Sequence, residues 1–147
     1  MKLKIGWIGK TRDPAIQSLT DEYLKRISRY AEVEGLALRD EAALLRMREK
    51  GGLRQEHTIA LLDSRGKQLS SEEFAQFLQN HQDRSSQPLI LAVGAADGFS
   101  DQARRTASAV LSLGRMTLAH ELARVVLLEQ VYRALTILKG HPYHTGH

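Results

Sequence analysis

The chain has 147 residues, no cysteine and a formal net charge of +4. That length suits one domain with a sizeable core and is too short for two ordinary ones, and without cysteine there is neither a disulfide framework nor a thiolate metal site. The opening MKLKIGWIGK is charged within a few residues and lacks a cleavage site, and no segment reaches the ~20 apolar residues of a membrane helix, so a single soluble, cytoplasmic domain over 1–147 with anionic partners is expected.

KLKIGWIG alternates and ends in glycine, which predicts a strand, and Asp13 followed by Pro14 predicts the N-cap and first residue of a helix over DPAIQSLTDEYLKRISRYA. VEGLALRD is a weaker second strand. EAALLRMREK reads as a helix stopped by Gly51 and Gly52. HTIALLD is a short apolar strand followed by the turn-like SRGK, and SSEEFAQFLQN has serine caps and acidic residues for a helical first turn. PLILAVG is the most buried-looking strand. After AADGFS come a helix, DQARRTASA, a short run, VLSLG, and RMTLAH leading into a long final helix, LARVVLLEQVYRALTILKG. Such alternation implies an α/β fold, a mostly parallel sheet covered on both faces.

In an open parallel sheet ligands bind beyond the carboxyl ends of the strands, so the loops after IALLD, ILAVG and VLSLG are the ones to inspect. Gly94 and Gly98 turn the second of them, but their spacing is not that of a dinucleotide fold and no phosphate-loop lysine follows; an ordinary strand-to-helix turn explains the pair as well. The loop around Gly114 is different. Leu113, Met116 and Leu118 make it so apolar that it must be buried or hold an apolar ligand.

The final helix carries Leu122, Val125, Val126, Leu128, Val131, Tyr132, Leu135 and Leu138 on more than one face, which suggests a second buried face and hence a dimer. Glu129 and Arg133, four apart, are either a surface salt bridge or part of a site, and Arg124 reads as serving the same helix. His120 most simply ends the preceding loop, and the lone Trp7 is expected in the core. Beyond the helix stands HPYHTGH, with a proline, a tyrosine and three histidines where chain ends usually lose order.

The segment VLSLGRMTLAHELARVVLLEQVYRALTILKGHPYH resembles the C-terminal signature of the RlmH family, SPOUT-class methyltransferases that act on a pseudouridine of large-subunit ribosomal RNA. KLKIGWIGK, EYLKRISRY, IALLDSRGKQLSSEEFA and LILAVGAADGFS fall in the family's order, so the resemblance spans essentially the whole chain. It implies a C-terminal segment threaded into a trefoil knot, which periodicity alone would reject. It also implies S-adenosylmethionine as methyl donor, bound without metal by Leu62, Gly94, Ala95, Leu113, Gly114, Arg115, Met116, Thr117 and Leu118. The family's glycine loop reads closer to Gly-Gly-Pro-Glu-Gly, and Ala95 here replaces its second glycine, removing a conformation and adding a methyl group near the cofactor.

The implied acceptor is N3 of a pseudouridine, which must lose its proton as the new bond forms. His144 and His141 have the titration range of a base, Tyr143 can stack on or hydrogen-bond to the flipped nucleotide, and Arg133 can contact a phosphate or the developing negative charge. The implied partners are large-subunit rRNA within the assembled ribosome and a second copy of the chain, whose tail would complete the pocket; no membrane is involved. Two alternatives stay open: an RNA- or ribosome-binding SPOUT module without catalysis, and a SPOUT ribose methyltransferase.

Overall fold

Unbroken apolar sequence puts β4 (Leu89–Val93) in the middle of the sheet, where all five of its residues are buried. The structure, a computed structural model, describes residues 1–48 and 56–144. The other strands are β1 (Lys2–Ile8), β2 (Glu32–Leu38), β3 (Thr58–Gln68) and β5 (Ala109–Ser112), arranged β2-β1-β4-β3-β5 with every pairing parallel. Between them run α1 (Pro14–Ile27), α2 (Glu41–Arg46), α3 (Ser71–Arg84), α4 (Asp101–Thr106) and finally α5 (His120–Leu138). The expected α/β architecture is therefore present, with α1, α3 and α5 packed on one face and α2 and α4 on the other.

Side-chain alternation divides the strands between two cores. Leu3, Ile5 and Trp7 join Leu89, Leu91 and Val93 beneath α1, α3 and α5, whereas Ile59, Leu61, Ile90 and Ala92 meet Leu44 of α2 and Ala103 of α4. Trp7 is buried as expected. The helix starts follow the sequence signals. Asp13 accepts from Ala15 N at 2.9 Å ahead of Pro14, and Ser70 and Glu73 form a reciprocal capping box on α3. The expected stop at Gly51 and Gly52 lies outside the described residues, and α2 is already closed at Met47.

Three expectations need correction. SRGK does not end the third strand: β3 continues to Gln68, and its pairing with β5 slips so that both Leu62 and Lys67 oppose Leu111. The intervening residues form a bulge. Gly66 makes this approach feasible, since a Cβ there would lie 2.6 Å from the Leu111 carbonyl carbon. Second, the apolar width of α5 is taken up within one chain, because the helix lies against the sheet with α1 and α3 at its sides. Val125, Leu128, Val131 and Leu135 are all buried, and Leu122 is its exposed large apolar residue. Third, Arg124 hydrogen-bonds to the loop after β1 and not within its own helix. It is 1% exposed, lies over the Trp7 ring at 5.6 Å, and donates to Thr11 Oγ1 at 3.1 Å and Ile8 O at 3.2 Å. Burial lowers its pKa, and its guanidinium pins the β1–α1 loop to α5.

Candidate cofactor cleft and C-terminal cluster

The segments that follow Leu62 of β3, Val93 of β4 and Ser112 of β5 meet in one cleft of about 190 Å³. Leu62, Gly94, Ala95, Leu113, Gly114, Met116, Thr117 and Leu118 all line it; Arg115, also expected there, is exposed and outside the lining. The β3 bulge supplies one wall through Asp63, Ser64 and Arg65.

Asp63 holds two of these segments together. Its Oδ1 accepts from Arg65 N at 2.9 Å and its Oδ2 from Phe99 N at 3.3 Å, with Arg104 Nη1 3.7 Å from Oδ2. The glycine loop is tight enough that a Cβ on Gly94 would come within 3.1 Å of the Gly98 carbonyl carbon, and Gly98 itself has φ +77°. Ala95 fits without strain. Its carbonyl accepts from Gly98 N at 2.9 Å, and no non-glycine residue among those described has a positive φ, so alanine gives up no conformation that this loop uses. The third wall is fixed by Ser112, whose Oγ donates to Gly114 O at 2.8 Å and accepts from Gly114 N at 3.2 Å.

Gly114 has φ +145° with open space where a Cβ would stand. The constraint there is the backbone rather than crowding. Gly114→Val should therefore strain the loop by about 1–2 kcal/mol and weaken cofactor binding on the order of tenfold. Calorimetry that finds undiminished affinity in a folded variant would remove Gly114 from the site.

Asp63, Ser112 and His120 also line the cleft, although the sequence reading did not assign them there. A buried carboxylate closing an apolar strand was the available signal for Asp63. His120 is the first residue of α5, so ending a loop and facing the cleft prove compatible.

Arg133, Tyr143 and His144 lie elsewhere: none of them lines this cleft. The tail instead crosses the outer side of α5. His141 N donates to Thr136 O at 2.8 Å and its ring meets Tyr30, Tyr143 packs edge-on against Tyr132 at 4.7 Å, and His144 Nε2 reaches Glu72 Oε1 on α3 at 2.7 Å. Glu129 gathers the rest. Its Oε1 accepts from Arg133 Nη2 at 2.5 Å, Arg133 Nε at 3.1 Å and Tyr143 OH at 3.0 Å, while Arg133 lies 5.0 Å from the centre of the Tyr143 ring.

The electrostatics follow from these contacts. Burial, then the hydrogen bond to Glu129, pushes Tyr143 up to about 12, so the phenol is a neutral donor in the physiological range and not a base. Hydrogen bonding to Glu129 raises Arg133 further and keeps it cationic. Glu72 is held below the usual carboxylate range by its own backbone amide first and then by His144. His144 Nδ1 is buried without a hydrogen-bond partner among the described residues.

A family model described as Predicted SPOUT methyltransferase matches residues 1–144. A relative from Koribacter versatilis named Ribosomal RNA large subunit methyltransferase H is 56% identical over 147 residues, covering 100% of both chains. A protein of the same name from Geotalea daltonii is 43% identical over 152 residues, covering 98% of this chain and 99% of its own. Among solved structures, a Legionella pneumophila methyltransferase in complex with bound SAM superposes with a TM-score of 0.51 at 14% identity, over 91% of this chain and 66% of that one. At that identity the likeness speaks for the fold.

Proposed function

Because the chain belongs to the SPOUT methyltransferase family, we propose that it methylates N3 of a pseudouridine in large-subunit ribosomal RNA, using S-adenosylmethionine and acting on the assembled ribosome in the cytoplasm. The observation that carries this reading is the cleft where three strand-end segments meet, in a chain matched over 98–100% of its length by relatives bearing the rRNA methyltransferase name. The cofactor, when bound, supplies an electrophilic methyl group.

The residues present fit that group. Leu62, Leu113 and Leu118 offer apolar faces to a flat neutral ring, while the glycines at 94, 98 and 114 leave the backbone accessible to its polar edge. Threading of the segment from Leu113 onward into a knot, as in the family, would fix that wall to the rest of the cleft.

On the acceptor side, N3 gives up a proton and gains a methyl group, so the base passes through an anionic form that a fixed cation and neutral donors favour. Arg133 is such a cation, held by Glu129; Tyr143 gives its own proton to the same carboxylate and meets the base through its ring and its oxygen lone pair. His144 is tied through Nε2 to Glu72, which fixes its ring beside this pair. Because this cluster does not line the cleft of its own subunit, it serves the cleft of a partner in a homodimer. Exposed Leu122 and Leu19 support such a contact on α5 and α1.

Leu122→Asp should accordingly give monomers with native spectra and little activity; light scattering that finds an unchanged dimer would move the interface elsewhere. By contrast, Val131 and Leu135 are core positions, and aspartate there would unfold the chain without testing assembly. The function itself is tested by mass spectrometry of ribosomal RNA from cells with and without the gene. Loss of one methyl from one pseudouridine is expected, and an unchanged methylation pattern would refute the assignment.

A further inference from the structure

We propose that Glu129 is the positioning residue of the reaction, a buried-side carboxylate that presets Arg133 and Tyr143 before substrate arrives. This rests on the reading above that Arg133 and Tyr143 meet the acceptor. An i, i+4 pair on a helix ordinarily couples two side chains in water and contributes little. Here the pair is neither isolated nor freely solvated. Side-chain exposure is 21% for Glu129 and 14% for Arg133, and both carboxylate oxygens are engaged. Oε1 receives both Arg133 nitrogens and the Tyr143 hydroxyl, and Oε2 receives Gln130 Nε2 at 3.2 Å.

Gln130 is itself fixed, accepting from Ser71 Oγ at 2.8 Å, so the carboxylate is anchored through α5 to the start of α3. His144 is held at the next residue of that same turn, Glu72. One short stretch of α3 thus sets both ends of the cluster.

The consequence is chemical as well as geometric. A carboxylate that accepts from Arg133 keeps the guanidinium in one orientation with further N–H groups left to donate, and a carboxylate that accepts from Tyr143 directs the phenol proton inward and leaves an oxygen lone pair outward. Three groups that would each lose rotamer freedom on meeting substrate have largely lost it already, which is where preorganisation acts on turnover rather than on binding. Glu129 touches neither substrate nor cofactor in this scheme.

The test compares wild-type protein with Glu129→Gln, which keeps the side-chain size, and Glu129→Ala. Turnover on unmethylated ribosomes is expected to fall at least tenfold for glutamine and on the order of 100-fold for alanine, with KM for the cofactor within about twofold. In parallel, a spectrophotometric titration of the four tyrosines should show one titrating at about 12 in the wild type and earlier in both variants. Unchanged turnover with a shifted tyrosine would reduce Glu129 to a structural pin and overturn the proposal; lost turnover with an unshifted tyrosine would overturn it too, because Glu129 would then not act through Tyr143. Should alanine prevent folding, the glutamine variant decides. If wild-type protein itself transfers no methyl group, the functional reading fails, and the tyrosine titration still reports whether Glu129 holds the tail.

Discussion

Cutting the chain after Gly140 should lower methyl transfer by 100-fold or more while leaving the fold and cofactor affinity nearly unchanged. The separation is expected because the described residues among those lost, 141–144, touch α5, Tyr30 and Glu72 and do not line the cleft. Single substitutions divide the effect. Arg133→Ala removes the fixed cation, Tyr143→Phe removes one donor, and His144→Ala removes the ring held by Glu72. With its phenol pushed up to about 12, Tyr143 leaves the neutral pH profile unaltered when replaced. Replacement of His144 should instead lower turnover itself, since it removes the tie between the tail and Glu72. A truncated enzyme that methylates ribosomes at the wild-type rate would show that the ordered tail has no part in the chemistry.

Among the described glycines, Gly66 is where a single added methyl group, as in Gly66→Ala, should be most damaging. The added Cβ would meet the nitrogen, carbonyl carbon and oxygen of Leu111 at 2.6–2.7 Å, all backbone atoms that no rotamer can move aside. Either β3 and β5 separate or the bulge is expelled, at a cost of about 2–4 kcal/mol and a Tm lower by roughly 10 °C. Cofactor affinity should fall with it, because Ser112 and Gly114 hang from β5 and Asp63 from the bulge. A thermal melt that matches wild type would mean that the strands are not held at this spacing.

The sequence exposed most of this plan where a signal is local. Asp13-Pro14 and Ser70 with Glu73 mark helix starts by short-range hydrogen bonds, and LILAV marks a strand covered on both faces because it has no polar side to show. The cofactor residues were legible chiefly through resemblance; the bare glycine spacing at 94 and 98 left an ordinary turn open. What stayed hidden depends on partners far along the chain. SRGK has turn composition, yet pairing with β5 carries the strand through it. Arg124 reads as serving its own helix, and only the loop after β1 and the Trp7 ring show where its guanidinium goes. The width of the apolar surface on α5 likewise reads as room for a second subunit until α1, α3 and the sheet are seen to use it.

The order of the sheet has a kinetic consequence. β1 pairs with β4 across most of the chain, and β5, only four residues long, is held at one edge by β3. Such non-local parallel pairing is slow to form, since loop closure precedes any reward in contacts. The cleft depends on β5 and on the residues after it, so a chain lacking that last strand has no complete binding surface to offer. Ligand added during refolding would then leave the folding rate unchanged and act wholly on the reverse step, prolonging the life of the native state as its concentration rises.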